Sequence, residues 1–318
     1  MTQSEQTISQ GNANHQVKRR PLLGSLKRNY QYYLILIPAV LFFIAFCYIP
    51  IYGITMAFRE FQYNKGIFFS PWIGFKYFKT FFNYFAFWDL IKNTLIISFL
   101  KIVVAFPLPI FFALILNEVT SLRTKRFIQT ASYLPHFISW VTVVALLNQF
   151  VGLEGILNQV RETMGLEKIF FMNDGAYFYL IMFGSYVWKT IGYSAIIYIS
   201  ALAGVDQGLY EAATVDGAGR WKRMWYVSIP SILPTAIVLF LLSLSSILSA
   251  GWDQIYLLRQ PGNKAFSEIL DTYIMDMGLR NGQFGYATAV SLFQSVIGLF
   301  LVLGTNYAIK KKSEVSLF

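Results

Sequence analysis

The sequence predicts an all-α integral membrane protein with six transmembrane helices and both termini on one side of the bilayer. Three observations carry this reading. Of 318 residues, 56% are hydrophobic, 18% aromatic and only 13% charged, whereas a soluble domain carries about 25% charged residues. The apolar residues gather into six runs, each close to the roughly 20 residues that a helix needs to cross the hydrocarbon core. The basic residues cluster beside alternate ends of those runs.

The runs cover residues 33–58, 94–116, 127–150, 177–202, 233–257 and 286–309. No stretch alternates polar and apolar residues over ten positions, which a transmembrane barrel requires. Pro38, Pro50, Pro107, Pro109 and Pro135 fall inside runs. Proline removes a backbone donor, but membrane helices tolerate it where neighbours satisfy the freed carbonyl. The expectation is therefore six kinked, continuous helices.

Charge sets the orientation. The two tails and the connections after runs two and four hold 14 basic and six acidic residues, from Lys18, Arg19 and Arg20 to Lys310, Lys311 and Lys312. The opposite side holds ten of each, counting Asp253 at the outer end of the fifth run. The positive-inside rule places the tails in the cytoplasm. The organisation that follows is a cytoplasmic tail over 1–30, a membrane domain over 31–309 and a second tail over 310–318. The polar first 28 residues and the long first run fit a retained span rather than a cleaved signal. The net charge of +10 sits in short clusters beside spans, where anionic lipid attracts it, and no groove-reading motif points to nucleic acid.

Catalytic signatures are missing. The chain has no G-x-x-x-x-G-K-[ST] loop to cradle phosphates, no G-x-S-x-G elbow, one cysteine (Cys47) and two histidines, His15 and His136. This pattern offers no metal ligand set and no enzyme active site. Glu268, Asp271 and Asp276 read as surface charges of an external loop.

The connection over 203–232 is long for a helix–helix loop. Asp206 is placed to cap a helix starting at Gln207, and Gly217 and Gly219 to stop it after about ten residues. Leu209, Ala212, Ala213 and Asp216 follow helical spacing, with Glu211 beside them. Beyond the glycines, Trp221, Trp225 and Ile229 recur every four residues and predict a stripe that packs back on the bundle. Physically this is a rigid knob; an amphipathic helix lying on lipid has the same pattern.

Glu211-Ala212-Ala213-x-x-Asp216-Gly217-Ala218, with Arg220 following and a hydrophobic ending at Pro230, resembles the EAA loop of permease subunits in bacterial binding-protein-dependent ABC importers. The usual phenylalanine between the halves is Met224 or Trp225 here, and the ending reads Val227-Ser228-Ile229-Pro230. Tyr48-Ile49-Pro50-Ile51-Tyr52-Gly53, Ser70-Pro71-Trp72-Ile73-Gly74-Phe75, Tyr133-Leu134-Pro135-His136-Phe137-Ile138-Ser139-Trp140, Asp271-Thr272-Tyr273 and the ending Ser316-Leu317-Phe318 are similar to the carbohydrate branch of that family. The resemblance implies a six-span type I ABC permease in the bacterial cytoplasmic membrane, with 203–232 as its cytoplasmic coupling loop. It implies as partners a second permease of the same type, two ATPase subunits that hold ATP and magnesium, and an extracytoplasmic solute-binding protein that delivers an oligosaccharide. The chain itself would hydrolyse nothing.

For the substrate path, the residues leave alternatives open. Lys189 lies about 18 Å into the fourth run, near mid-bilayer, where a charge faces a bundle interior or an aqueous path. Ser185, Tyr193 and the adjacent Trp188 offer hydroxyls and rings that suit a sugar. The other reading of Lys189 is a structural lysine bonded to backbone carbonyls. Lys101 lies shallower, in the second run. Ser245, Ser246, Ser249, Trp252 and Asp253 fall near one face of the fifth run, a pattern that also serves helix packing. The two intramembrane lysines leave room for carboxylate-bearing cargo beside a neutral oligosaccharide.

Overall fold

The computed structural model describes residues 30–245, 248–249 and 251–311. The tail over 1–29, Ser246, Lys312 and the ending Ser316-Leu317-Phe318 lie outside the described residues, as does the side chain of Ser245. Among the described residues the regular secondary structure is helical, apart from one isolated antiparallel bridge between Arg59 and Trp72. Among the described residues, six segments are long and apolar enough to cross a membrane: Tyr30–Phe58, Phe87–Asn117, Trp140–Thr163, Gly175–Ala203, Arg220–Leu244 and Phe284–Tyr307.

Two compact units divide the chain at Gly53. In the first, the helix Tyr30–Phe43 runs into a π-turn at Ile44–Tyr48, just before Pro50. The same pairing recurs in the second unit. A π-turn at Lys101–Ala105 precedes Pro107, and another at Met224–Ser228 precedes Pro230. Proline cannot donate to the carbonyl four residues back. The ladder accommodates this by widening one turn, a distortion that often marks functional positions in helices.

The third span departs from the sequence expectation. Residues 127–150 are not one kinked helix. Helix α1 (Leu122–Tyr133) ends in a tight turn at Leu134–Phe137, Ile138 is extended, and a new helix starts at Trp140. Pro135 occupies the tight turn, and the Ser139 hydroxyl accepts from the Thr142 amide at 3.2 Å, which caps the new start. The apolar run is continuous in sequence, so hydropathy alone could not reveal this elbow.

Span five also differs. It begins at Arg220, thirteen residues before the expected start, and ends near Leu244. Residues Trp252–Leu258 form a separate short helix, α2, entered through Gly251 at φ +79°. Trp252 and Asp253 therefore do not share a helix face with Ser245. Helix α3 (Leu270–Met275) leads towards the sixth span.

Among the described residues, three apolar clusters lie in the second unit. One joins Ile97, Val144, Phe178, Met182 and Ile255. A second joins Ala113, Leu114, Ala195, Tyr198, Met224, Ile232 and Ala236. A third, rich in aromatics, joins Phe81, Phe87, Tyr273 and Tyr286. The expected surface cluster of carboxylates is instead partly buried. Asp276 pairs with Arg259 at 2.8 Å and Arg280 at 3.5 Å, and Asp271 accepts from Gln294 at 2.7 Å. The neighbouring arginines and glutamine supply donors that make this placement tolerable.

Candidate functional site

The loop after span four folds as its local chemistry dictates. The Asp206 carboxylate accepts from the Gly208 amide at 2.9 Å and caps a helix over Gln207–Val215. Gly217 sits at φ +76°. Its amide bonds the Thr214 carbonyl at 3.0 Å, and the Ala218 amide bonds the Ala213 carbonyl at 2.9 Å. This pair of bonds is the Schellman termination, which needs a left-handed residue at the Gly217 position. Glu211, Ala212, Asp216, Gly217 and Arg220 are exposed, while Ala213 and Ala218 are half-buried. A compact face of small and charged groups is thus presented outward.

Two details correct the sequence reading. Gly219 does not stop this helix; it caps the next one, in extended conformation at ψ 171°. The packing stripe is also displaced by one position. Trp221 and Trp225 are 70% and 57% exposed, whereas Met224, Ser228 and Ile232 are buried. Small or flexible side chains let span five approach span four closely, and the tryptophans turn outward. The helix is tied back by side chains: the Tyr210 and Ser228 hydroxyls meet at 2.9 Å, and Arg223 donates to the Thr214 hydroxyl at 3.0 Å.

A cavity of about 440 Å³ is walled by span two, span four and span five. Span two supplies Ser98 and Lys101; span four supplies Tyr186, Thr190, Tyr193 and Ser194; Ser243 and Ser249 complete the polar lining. Lys101 opens the π-turn of span two. Its ammonium lies 4.4 Å from the Tyr186 ring centre and donates to the Gln254 side-chain carbonyl at 3.3 Å. Gln254, on α2, donates in turn to the Met182 carbonyl at 2.7 Å and to the Ser185 hydroxyl at 3.0 Å. Hydroxyls, aromatic faces and one cation therefore converge on a single space, the combination that orients a polar ligand in a largely apolar pocket.

The candidate residues separate accordingly. Tyr193 and Ser249 line the cavity; Lys189, Trp188, Ser185, Trp252 and Asp253 do not. Lys189 is buried and donates to the carbonyls of Ile138 at 2.5 Å, His136 at 2.6 Å and Pro135 at 3.4 Å. Those carbonyls belong to the elbow of span three, where the helical ladder is broken. Of the two readings open in the sequence, this geometry matches the lysine bonded to backbone. Trp188 is 48% exposed, and Ser185 is enclosed in the Gln254 network. Lys101 carries the polar focus of the cavity, with the buried Gln254 holding its ammonium from behind the wall. Depth along a span could not rank Lys101 above Lys189, because the choice rests on which carbonyls tertiary structure brings within reach.

Residues 105–312 match the family described as the binding-protein-dependent transport system inner membrane component. Protein LplB of Bacillus subtilis (strain 168) is 41% identical over 297 residues, covering 93% of each chain. The polygalacturonan/rhamnogalacturonan transport system permease protein YteP of the same organism is 39% identical over 302 residues, covering 95% of this chain and 94% of that one. Among solved structures, a bacterial ABC transporter involved in import of the acidic polysaccharide alginate superposes with a TM-score of 0.83. It is 36% identical and covers 91% of this chain and 98% of its own. A structure of the bacterial alginate ABC transporter in complex with an alginate pentasaccharide-bound periplasmic protein gives 0.84 at 35% identity, covering 93% and 99%. With its six spans and outward-facing loop helix, the chain belongs to the binding-protein-dependent transport inner membrane components and has the fold of a type I ABC permease.

Proposed function

We propose that this chain is one of two permease subunits in an ATP-driven importer that takes up oligosaccharides bearing carboxylates. The observation that carries the reading is the lysine-centred cavity within a fold whose loop helix is capped, terminated and braced for docking. Glu211, Ala212, Ala213, Asp216, Gly217, Ala218 and Arg220 form the surface that seats on an ATPase subunit. The ATPases hold ATP and magnesium, and this chain hydrolyses nothing. Both termini lie in the cytoplasm in this reading, which the charge asymmetry supports. A solute-binding protein delivers cargo from the opposite side, and closure of the ATPases rocks the helices to switch access.

Acidic cargo is favoured over neutral sugar for a physical reason. A cation within the bilayer is costly, roughly 3 kcal/mol on insertion scales. At Lys101 a carboxylate is a stronger acceptor for the ammonium than a sugar hydroxyl, because a hydrogen bond between two charged groups is stronger than one to a neutral acceptor. The proteins whose names mention alginate and polygalacturonan/rhamnogalacturonan support the same choice.

The test is uptake by the complete complex in vesicles, with cognate binding protein and either acidic or neutral oligosaccharides. Lys101→Met is expected to cut acidic uptake at least tenfold, about 1.4 kcal/mol of lost binding, with the complex still assembled. Uptake confined to neutral sugars, or acidic uptake unaffected by Lys101→Met, overturns the acidic reading. ATP hydrolysis by the purified chain alone overturns the non-hydrolytic one.

A further inference from the structure

The loop helix is joined covalently to span four and span five, but not to span two. Span two nevertheless supplies the cation of the cavity and one of its walls. The Arg223 side chain spans this gap. Arg223, in the first turn of span five, reaches in two directions. One guanidinium nitrogen donates to the Thr214 hydroxyl at 3.0 Å, on the last turn of the loop helix. The other lies 3.4 Å from a carboxylate oxygen of Glu118, the residue that caps the end of span two. The Arg223 and Glu118 side chains are only 25% and 18% exposed, so water screens the pair less than a surface ion pair. Thr214 is itself fixed, donating to the Tyr210 carbonyl at 2.7 Å.

We propose that Arg223 is a positioning residue of energy coupling: a clasp that conveys displacement of the loop helix to span two through Glu118. The inference rests on the coupling role proposed above for that helix. A planar guanidinium suits the task because its fork holds two acceptors in a fixed relation. Movement of Thr214 is then passed to the end of span two without waiting for the apolar packing between spans to follow. From Glu118, span two continues about 25 Å to Lys101 at helical rise. A push on the loop helix would thereby shift the cavity's cation together with the walls of span four and span five. Without the clasp, span two would be left to follow through packing alone.

The test uses the whole complex in vesicles, with cargo-loaded binding protein, and reads sugar imported per ATP hydrolysed. Glu118→Gln keeps the shape and removes the charge; Arg223→Met keeps the stem and removes the fork. Each is expected to lower the ratio about fivefold, the scale of a modest coupling between sites. The exchanged pair Glu118→Arg with Arg223→Glu restores the ion pair in reverse and is expected to recover most of the ratio. Normal ratios in both single variants overturn the proposal. So do equal losses of hydrolysis and import, which mark loss of assembled complex, and so does an exchanged pair as defective as the singles. The unmodified complex separates the two claims. Absence of ATP-driven import there counts against the proposed function, whereas normal import with fully coupled variants counts against the clasp alone.

Discussion

His136 and Tyr193 stack face to face, with ring centres 3.8 Å apart and planes 2° from parallel. The stack locks the elbow of span three against span four, and Tyr193 also faces the cavity. Lys189 secures the same elbow from within the bundle by gathering the carbonyls of Pro135, His136 and Ile138. One span-four face thus holds a broken backbone in place through a ring and an ammonium, four residues apart.

Removing the ammonium should therefore loosen the fold. Lys189→Met leaves those carbonyls without their donor, and a buried acceptor without a partner costs about 1–3 kcal/mol. Partial relief comes from no longer burying a charge, so the expected net loss is about 2 kcal/mol. A lower midpoint of thermal unfolding in detergent would show it. Unchanged stability together with weakened cargo binding would return Lys189 to the substrate path.

Gly192 provides a steric counterpart. A Cβ there would overlap the backbone carbonyl of Ser132 on α1, whereas a Cβ at Gly184 in the same span meets nothing within 4 Å. Gly192→Ala should destabilise by about 1–3 kcal/mol through overpacking. Gly184→Ala should be neutral or slightly stabilising, since alanine favours helix by about 1 kcal/mol over glycine. Equal unfolding midpoints for the two variants would contradict the close approach of α1 to span four.

At the loop helix the constraint is conformational. Nothing lies within 4 Å of a Cβ built on Gly217, but its φ is +76°. An L-residue in the left-handed region costs roughly 1–2 kcal/mol, and asparagine tolerates it best. Gly217→Val should assemble yet import several-fold less sugar per ATP, and Gly217→Asn should lie close to the parent. Import at the parental ratio in the valine variant would remove Gly217 from the hinge.

What the sequence made legible follows the range of the forces involved. Asp206, Gly217 and the hydropathic runs act over a few residues, so the loop helix and four of the six spans follow from local grammar alone. Span five was misplaced because Met224 and Ser228, not Trp221 and Trp225, are its packing face. An amphipathic stripe says which residues differ in polarity, not whether the apolar side meets protein or lipid. The elbow at Pro135 escaped detection because hydropathy is blind to a change of direction within an apolar run. The cavity was half seen. Tyr193 and Ser249 line it, but its cation, and the Gln254 that holds that cation, are recognisable only once three separate elements have been brought together.

Gly251 offers the sharpest probe of that cavity. Its φ is +79°, and a Cβ added there would fall 2.7 Å from the Lys101 ammonium. The obstructing atom is the end of a flexible side chain, so Gly251→Ala need not prevent folding. The alanine instead displaces the ammonium and strains the entry to α2 by roughly 1–2 kcal/mol. The hydrogen bond to Gln254 at 3.3 Å has little slack before it is lost. Acidic uptake should fall while the binding protein still docks, and the loss should be smaller when alanine is combined with Lys101→Met than when it acts alone. That non-additivity is the decisive readout, because residues that act through one contact do not sum. Losses that simply multiply would mean that Gly251 serves the backbone of α2 independently of the lysine.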